Sequence, residues 1–266
     1  MIEVPSLPEG FLDGVKKFIQ FTIKNAKAKG VVVGLSGGVD SSVVLKLCVE
    51  SLGNENVFAL IMPEDTSNKE DTDDAIEFAR NLGVSYKLVD ISPILRAIGV
   101  NIDVKSQSAL INIKPRVRMT ILYAYANELN YLVAGTSNKT ELLLGYFTKY
   151  GDGASDFLPI GDLYKTQVKK LAKVIDIPEK IINKTPSAGL YPGQTDEGEL
   201  GLSYDVIDKI LYAYELGYSP AEISSILDIK NEKVTRIINM VHKNRHKRRA
   251  PYIFKVSLRT PFVDYD

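Results

Sequence analysis

The 266-residue sequence lacks three features, and each absence narrows what the protein can be. It has one cysteine, Cys48, so an internal disulfide is excluded and a reducing compartment is favoured. It has no charge excess, because 33 Lys and Arg balance 33 Asp and Glu, and no overall field attracts nucleic acid or a membrane. It has no apolar run near the ~20 residues of a membrane span, nor a signal-peptide core. We therefore expect a cytoplasmic protein in which Cys48 is a buried structural thiol.

Four short apolar runs predict β-strands, at residues 31–35, 57–62, 85–89 and 131–135. Helical patterns lie between the first three runs, and each pattern ends at a glycine that suits a helix C-cap. Alternation of strand and helix predicts a parallel sheet with helices on both faces. Unbroken apolar strands agree with this prediction, because strands covered on both faces need no polar side. The predicted fold class is α/β, an open parallel Rossmann-like sheet.

Other stretches predict helices and loops outside the sheet. A helical stripe covers residues 10–29, and a longer helix is predicted from Pro115 onward. Residues 145–162, rich in Gly and Asp, predict a loop that leads into another helix. Residues 183–201 are dense in Pro, Gly and charge, and they predict a mobile segment.

The last third of the chain predicts a helical extension. From Ser203 the pattern is helical, and it ends in the basic run of residues 242–249. No interdomain linker is evident, so one domain is expected over residues 1–266. Within it we expect a nucleotide-binding core over about 30–200, and a helical extension with a basic tail over about 201–266.

The turn after the first predicted strand reads GLSGGVDSS, over residues 34–42. It lacks the Gly-Lys-Ser/Thr ending of the common nucleoside-triphosphate loop. Its glycines let the backbone approach phosphate oxygens, the next helix offers free N–H groups, and Asp40 supplies a carboxylate suited to Mg²⁺. A ligand-free turn would explain two glycines alone equally well, but the complete string is more specific.

This turn resembles the pyrophosphate loop of the ATP pyrophosphatases. Four later stretches, in order and spacing, resemble one branch of them, the NAD synthetase family: GTSNKTE (135–141), KYGDGASD (149–156), TPSAGLYPGQTDEGELG (185–201) and HKRRAP (246–251). The resemblance implies a sheet of the adenine nucleotide alpha hydrolase type. It also implies a ligase that uses ATP as cosubstrate, with Mg²⁺. AMP is transferred to the carboxylate of deamido-NAD (nicotinic acid adenine dinucleotide), and ammonia then displaces the AMP to give NAD. AMP and pyrophosphate are released.

The resemblance also implies three groups of site residues. Asp40 and Glu141 are the implied Mg²⁺ ligands and, with Lys165, the catalytic residues. The implied ATP-binding residues are Gly34, Leu35, Ser36, Gly37, Gly38, Val39, Asp40, Ser41, Thr136, Lys165 and Ser187. The implied deamido-NAD contacts are Arg116, Lys149, Asp156, His246 and Lys247. Ser137-Asn138 replaces an Asp-His pair of some relatives, and Ser187 replaces a threonine, so hydrogen-bonding groups are kept.

Several of these residues have plainer interpretations. Arg116 follows Pro115 at a helix start, where a salt bridge would explain it, although an anion held there explains a cation at that end better. Outside their motifs, Glu141 would be a solvated helix residue and residues 149–156 a polar loop. The acidic stretch 64–74 is best explained as the charged N-terminus of a helix.

Two other functions compete with this one. The first is another ATP pyrophosphatase, such as a tRNA-modifying adenylylating enzyme whose basic tail binds RNA. Those that thiolate tRNA typically need catalytic cysteines, and Cys48 in a core helix is a poor candidate. A helix-turn-helix regulator is the second alternative, because Ser219 could cap a short helix and another could start near Asn231. The neutral chain weakens that hypothesis, and we prefer the helix pair as a packing device.

The expected partners follow from the same resemblance. They are deamido-NAD, ATP and ammonia, with no nucleic acid and no membrane. Nitrogen comes as free ammonia or from a separate glutaminase subunit, since the chain has no room for a glutaminase domain. A homodimer is expected, and the tyrosine-rich helix from Pro115, with Tyr123, Tyr125 and nearby Tyr131, is its candidate contact.

Overall fold

The computed structural model describes residues 2–187, 189, 191 and 193–259. One sheet of four strands lies at its centre: β1 Gly30–Gly34, β2 Val57–Ile61, β3 Ser85–Leu88 and β4 Tyr131–Ala134. All pairings are parallel, and the strand order is β3-β2-β1-β4. The four predicted strands are confirmed, each ending one residue earlier than predicted. The open parallel α/β fold class is also confirmed.

Helices cover both faces of this sheet. On one face, Val31 and Val33 pack with α1 (Phe11–Asn25), α2 (Val39–Leu52), α3 (Lys69–Asn81) and α8 (Lys165–Val174). On the other face, Val32 packs with α6 (Ile113–Leu129) and with the start of α4 (Ser92–Asn101). Alternate residues of β1 thus enter two separate hydrophobic clusters, which explains why its sequence is apolar throughout.

The region between β3 and β4 differs from the sequence-based expectation. The helix predicted to begin at Pro115 begins at Ile113, two residues earlier. Proline is tolerated there because the first turn of a helix has no intrahelical partner for its N–H groups. Residues 107–111 form a further short helix, α5 (Gln107–Ile111), which the sequence analysis did not predict, like α4.

The helical extension after residue 203 is confirmed. Its helices α11 (Tyr204–Glu215), α12 (Pro220–Leu227) and α13 (Asn231–Lys243) build a third cluster, together with Ile2 and Leu144. Ser219 caps α12, accepting from the Glu222 N–H, and α13 begins at Asn231, as predicted. The inward side chains of α13, including Val234 and Ile237, are fully buried in this cluster.

Three short α-helices and two 3-10 helices complete the described chain: α7 (Lys139–Leu144), α9 (Glu179–Ile182), α10 (Asp196–Leu200), and the 3-10 helices at Asn54–Asn56 and Arg245–Arg248. Residues 188, 190 and 192 of the segment predicted to be mobile lie outside the described residues. None of the helices in the described ranges combines the length and the apolarity that a membrane span requires.

Candidate active site

The strand order creates a switch point between β1 and β4. From β1 the chain moves through β2 to β3 on one side, and it returns to pair β4 with β1 on the other. In parallel sheets ligands bind beyond the carboxyl ends of strands at such a point. The loop after β1, which leads to Asp40, and the loop after β4, which leads to Glu141, therefore meet at one rim.

The loop after β1 is organised by its own serines. The Ser41 hydroxyl accepts from the Ser36 N–H at 3.2 Å and donates to the Gly38 carbonyl at 3.1 Å. Ser42 donates to the same carbonyl at 2.9 Å. Gly38 precedes α2 in extended conformation, and no side chain caps the helix. This uncapped N-terminus at the rim suits an anion such as a phosphate group.

Gly37 brings this loop against the first turn of α3. Its φ is +82°, and a Cβ at this position would lie 2.2 Å from the Asp71 backbone oxygen. Both the backbone conformation and the contact therefore require glycine.

We expect Gly37→Ala to lower the free energy of unfolding by at least about 1–2 kcal/mol, the cost of the left-handed conformation alone. Gly38→Ala is the matched control, because Gly38 has negative φ and only the Ser36 Oγ lies near its Cβ position, at 3.4 Å. Urea denaturation of both variants checks this. Equal stability of the two variants would contradict the assigned role of Gly37.

Asp40, Glu141 and Lys165 converge at the switch point. The Lys165 Nζ lies 2.5 Å from Asp40 Oδ2 and 3.2 Å from Glu141 Oε1. The Asn138 side-chain amide donates to Asp40 Oδ1 at 3.0 Å. Lys165 also lies over the Tyr204 ring, 5.2 Å from its centroid. The side chain of Lys165 is only 4% exposed, so its ammonium is held between two carboxylates away from bulk water.

Burial and like charge set the titration of this cluster. The pKa of Glu141 is raised to about 7, because burial and, to a lesser extent, the Asp40 carboxylate raise it more than the Lys165 ammonium lowers it. For Lys165, burial lowers the pKa, but the carboxylates of Asp40 and Glu141 outweigh it, and the net pKa is above its usual range. The lysine is therefore charged at neutral pH, and this single ammonium faces two carboxyl groups.

The two carboxylates fit a divalent cation. Both contact the same Lys165 ammonium, and carboxylate oxygens are preferred ligands of Mg²⁺. Within the described part of the chain, no three His, Cys, Asp or Glu side chains are grouped so as to hold a metal. A cation bound here would therefore take its other ligands from phosphate oxygens and water, which is how Mg²⁺ is usually held at nucleotide sites.

Glu141 owes its position to the start of α7. Asn138 accepts from the Glu141 N–H at 3.0 Å, and the Glu141 carboxylate accepts from the Asn138 N–H at 3.3 Å. This reciprocal capping box places Glu141 in the first turn of α7. Thr140 donates to Asp208 at 2.6 Å and accepts from the Lys165 N–H at 2.9 Å, so α7, α8 and α11 are joined beneath the site.

The acidic stretch 64–74 does more than begin a helix. Asn68 caps α3, as a charged helix N-terminus would require. In addition, Lys184 Nζ lies 2.6 Å from both Asp71 and Asp74 and donates to the Gly37 carbonyl at 3.3 Å. These ion pairs hold the start of the 183–201 segment against the glycine loop.

We expect Asp74→Asn to destabilise the protein more at pH 7 than near pH 3. Burial raises the pKa of Asp74, but hydrogen bonds from Lys180 and Lys184 outweigh it, and the net pKa is lowered. A carboxyl group whose pKa is lower in the folded state stabilises the protein at pH values above its pKa in the unfolded state. This stability is lost as the pH falls through its pKa in the folded state. Exposed Asp73 is the control, and urea denaturation at both pH values is the measurement. A difference between Asp74→Asn and wild type that does not shrink with acid would contradict this.

A second group of the implied residues lies around the loop at 145–156. Arg116 is exposed and donates from Nε to the Lys149 carbonyl at 3.3 Å. The Lys149 ammonium lies 5.1 Å from the Tyr150 ring centroid. The Ser137 hydroxyl donates to the Asp152 carbonyl at 3.4 Å and links this loop to the turn after β4.

The remaining implied residues are placed differently from one another. The Asp156 carboxylate accepts from the Val133 N–H at 2.7 Å, so it binds the outer edge of β4. Lys247 donates to the carbonyls of Gly145 and Phe147, at 2.7 and 2.8 Å, while His246 is exposed beside it. Thr136 is half-buried, and Ser187 is exposed and accepts from the Gly189 N–H at 3.1 Å.

Three further residues at the site escaped the sequence analysis. Asn138 holds Asp40, and its capping-box spacing to Glu141 was the available signal. Tyr204 lies under Lys165, and nothing in its sequence context distinguishes it. Arg118 donates from Nε to the Met62 carbonyl at 3.0 Å just beyond β2, and burial lowers its pKa.

Comparison with known proteins gives consistent matches. A family model described as NAD synthase matches residues 11–251. The NH(3)-dependent NAD(+) synthetase of Methanocaldococcus jannaschii is 49% identical over 247 residues, covering 91% of this chain and 95% of that protein.

Two solved structures are also similar to this chain. The NH3-dependent NAD synthetase of Campylobacter jejuni, in complex with the nitrate ion, superposes with a TM-score of 0.80 at 37% identity, covering 93% of this chain and 98% of that one. NMN synthetase from Francisella tularensis superposes with a TM-score of 0.83 at 34% identity, covering 95% and 100%.

Proposed function

The chain belongs to the NAD synthase family, and from this premise we propose that it is an ammonia-dependent ligase that converts deamido-NAD into NAD. ATP is the cosubstrate, and AMP and pyrophosphate are the other products. The observation that carries the proposal is the meeting of Asp40, Glu141 and Lys165 beyond the glycine loop at the switch point.

The chemistry requires that a carboxylate oxygen become a leaving group. Ammonia does not displace oxide from a carboxylate, because oxide is a very poor leaving group. Transfer of AMP to that oxygen makes the leaving group AMP, and ammonia then forms the amide. The protein must hold three anions close together, so positive charge and N–H donors are what the site has to supply.

The residues around the switch point suit the ATP side of this reaction. Residues 34–41 would bind the β and γ phosphates, which leave as pyrophosphate, through the uncapped α2 N-terminus; the N–H groups of Leu35 and Ser36 donate to Leu60 and Ser41 instead. If a metal ion bound Asp40 and Glu141 together with Lys165, the Lys165 ammonium would be available to neutralise charge on the phosphates. Thr136 and Ser187 are the further proposed ATP contacts.

Mg²⁺ is the proposed metal, and Asp40 and Glu141 are its proposed ligands. When bound, the ion would neutralise charge on the phosphates and orient them for in-line attack. The raised pKa of Glu141 fits this assignment, because the carboxylate pair gains from a second positive charge.

The loop at 145–156 is the proposed deamido-NAD side of the site. Arg116, Lys149 and Lys247 bring positive charge to this region, with His246 exposed beside them, which suits a substrate that carries a pyrophosphate and a carboxylate. Lys247 and Asp156 have protein partners here, so their contact with substrate would require an exchange of hydrogen bonds. Both remain in the proposed set.

The structure disfavours the two competing functions. Burial raises the pKa of Cys48 to about 12, so its thiolate is scarcely populated and sulfur transfer by this residue is disfavoured. The basic side chains that a regulator would offer to DNA are partly engaged inside the chain. Arg236 donates to the carbonyl of Leu200, and Arg248 binds carbonyls of α7.

The assembly and nitrogen source are further parts of this proposal. A shallow groove of about 500 Å³ along α6, which includes Tyr123 and Tyr150, is the proposed homodimer contact. Tyr125 contributes less to it than the sequence implied, because its ring stacks on Phe58 with centroids 5.5 Å apart. Free ammonia or a separate glutaminase subunit would supply nitrogen, and the single cysteine favours a cytoplasmic location.

The direct experiment is to incubate the purified protein with ATP, Mg²⁺, deamido-NAD and ammonium, and to quantify NAD and pyrophosphate. Equimolar formation of both is expected. Nicotinic acid mononucleotide is tested in parallel, because one similar structure is that of an NMN synthetase. If only the mononucleotide is amidated, it and not deamido-NAD is the substrate. If neither substrate is converted into its amide, the proposal is refuted.

A further inference from the structure

The helix that carries Glu141 is unusually dependent on its surroundings. The helix α7 has six residues, far below the length at which an isolated helix is stable. The Glu141 and Leu142 carbonyls accept from the N–H groups of Tyr146 and Gly145 just after the helix, but those of Leu143 and Leu144 have no backbone partner and must find others. The position of Glu141 therefore depends on what binds both ends of α7.

The C-terminal segment of residues 244–248 supplies these partners. Asn244 donates to the Leu144 carbonyl at 2.6 Å. Arg248 donates from Nη1 to the carbonyls of Leu143 and Leu142, at 2.7 and 3.2 Å. Positive side chains are favourable here, because the C-terminal end of a helix carries partial negative charge. The two carbonyls without a backbone partner, those of Leu143 and Leu144, are thus bound from about 100 residues away in sequence.

Glycine at position 145 makes this contact close. Gly145 has φ of +65°, and a Cβ there would lie 2.3 Å from the Cβ of Asn244. Lys247 then donates to the Gly145 and Phe147 carbonyls, so the chain just after α7 is held as well. The end of α7 and the segment 244–248 fit each other only because this residue has no side chain.

Arg248 ties α7 to a rigid support. Its Nη2 donates to the Val241 carbonyl at 2.8 Å, at the end of α13. The inward side of α13 is buried in the C-terminal hydrophobic cluster, where Val234 and Ile237 are fully buried. One guanidinium therefore joins the ends of two helices, which a lysine with a single nitrogen could do only in part.

We propose that Arg248 is a positioning residue for the active site, which acts through α7 to hold Glu141 in place opposite Asp40 and Lys165. The inference rests on the proposed function for its effect on turnover. At the other end of α7, Asn138 caps the helix and binds Asp40. The helix is therefore held by Asp40 at its N-terminal end and by Arg248 at its C-terminal end. The basic tail thus has a role beyond contact with deamido-NAD.

The neighbouring arginine offers a matched control. Arg249 carries the same charge one residue later and is exposed, and it makes no hydrogen bond or ion pair with any part of the chain that the structure describes. If the tail acted only through its positive charge, Arg248→Met and Arg249→Met would have similar effects.

The test compares Arg248→Met, Arg248→Lys and Arg249→Met in the full-length protein. Hydrogen exchange of residues 139–147 is measured without substrates, and turnover is measured as a function of Mg²⁺ concentration. For Arg248→Met we expect faster exchange confined to this region and a Mg²⁺ concentration for half-maximal turnover that rises about 10- to 100-fold, as for other residues that support metal ligands. Arg248→Lys should recover part of this loss, and Arg249→Met should match wild type in both measurements.

Two results would overturn the inference: wild-type exchange and Mg²⁺ response in Arg248→Met, or equal impairment of Arg249→Met. If Arg248→Met does not fold, Arg248→Lys must show the intermediate change in both measurements, and wild-type behaviour of that variant also overturns the inference. If the wild-type protein makes no NAD, the proposed function fails separately. The exchange measurement then still decides whether Arg248 holds α7.

Discussion

Replacement of Lys165 by methionine is expected to reduce turnover by at least about 100- to 1,000-fold, the usual cost of removing one donor that stabilises transition-state charge. The ammonium bridges Asp40 and Glu141 at 2.5 and 3.2 Å and is almost fully buried. Its loss leaves two carboxylates facing each other and removes the positive charge proposed to screen the ATP phosphates. Steady-state production of NAD is the measurement, with circular dichroism to show that the variant is folded.

The same variant makes a second, independent prediction. Removing one partner of a buried ion pair lowers the free energy of unfolding by about 3–5 kcal/mol. Mg²⁺ bound to the two remaining carboxylates should restore part of that stability. Lys170→Met is the control, because Lys170 lies exposed on the same helix α8. Turnover of Lys165→Met within a few-fold of wild type would refute the role of this lysine.

Asp40→Asn is expected to lower turnover by more than about 100-fold while the fold persists. Residues that merely support a metal ligand cost up to about 100-fold when changed, so removal of a proposed ligand should exceed that. In the wild-type protein the Asn138 side-chain amide donates to Asp40 Oδ1 at 3.0 Å. The asparagine keeps an oxygen that can accept this hydrogen bond, so the local packing is preserved. Turnover at rising Mg²⁺ concentration measures the effect.

Exposed Asp73 again provides the control, since Asp73→Asn removes the same charge outside the site. High Mg²⁺ should rescue Asp40→Asn only weakly. Near-normal turnover of Asp40→Asn at ordinary Mg²⁺ would remove Asp40 from the proposed metal site.

The sheet was predictable because its signals are local. The strands at 31–35 and 57–62 are short β-branched and apolar runs, and the next helices end one residue before Gly53 and two residues before Gly83. The start of α6 at Ile113 was missed, since a proline is compatible with several positions of a helix's first turn. The helix α4 was missed although Ile91, Leu95 and Ile98 recur at helical spacing and a proline lies in its first turn, whereas the five residues of α5 are too few to show an apolar period.

The candidate site divides in the same way. Asp40 and Glu141 stand in local motifs, and strand order explains why they meet. The dependence of α7 on Asn244 and Arg248 joins residues about 100 positions apart, and although Arg248 lies in the HKRRAP stretch, nothing in the sequence connects either residue with α7. The pairing of Asp74 with Lys184 was likewise hidden, because a helix N-terminus explains an acidic residue without any partner.

The central claim is that AMP is transferred to the substrate carboxylate, and ¹⁸O labelling tests it most directly. Deamido-NAD labelled with ¹⁸O in its nicotinate carboxyl group is converted with ATP, Mg²⁺ and ammonium, and the products are analysed by mass spectrometry. The account predicts one ¹⁸O in the phosphate of AMP, unlabelled pyrophosphate, and one ¹⁸O kept in the amide of NAD. Unlabelled AMP, or ADP with labelled inorganic phosphate, would contradict it.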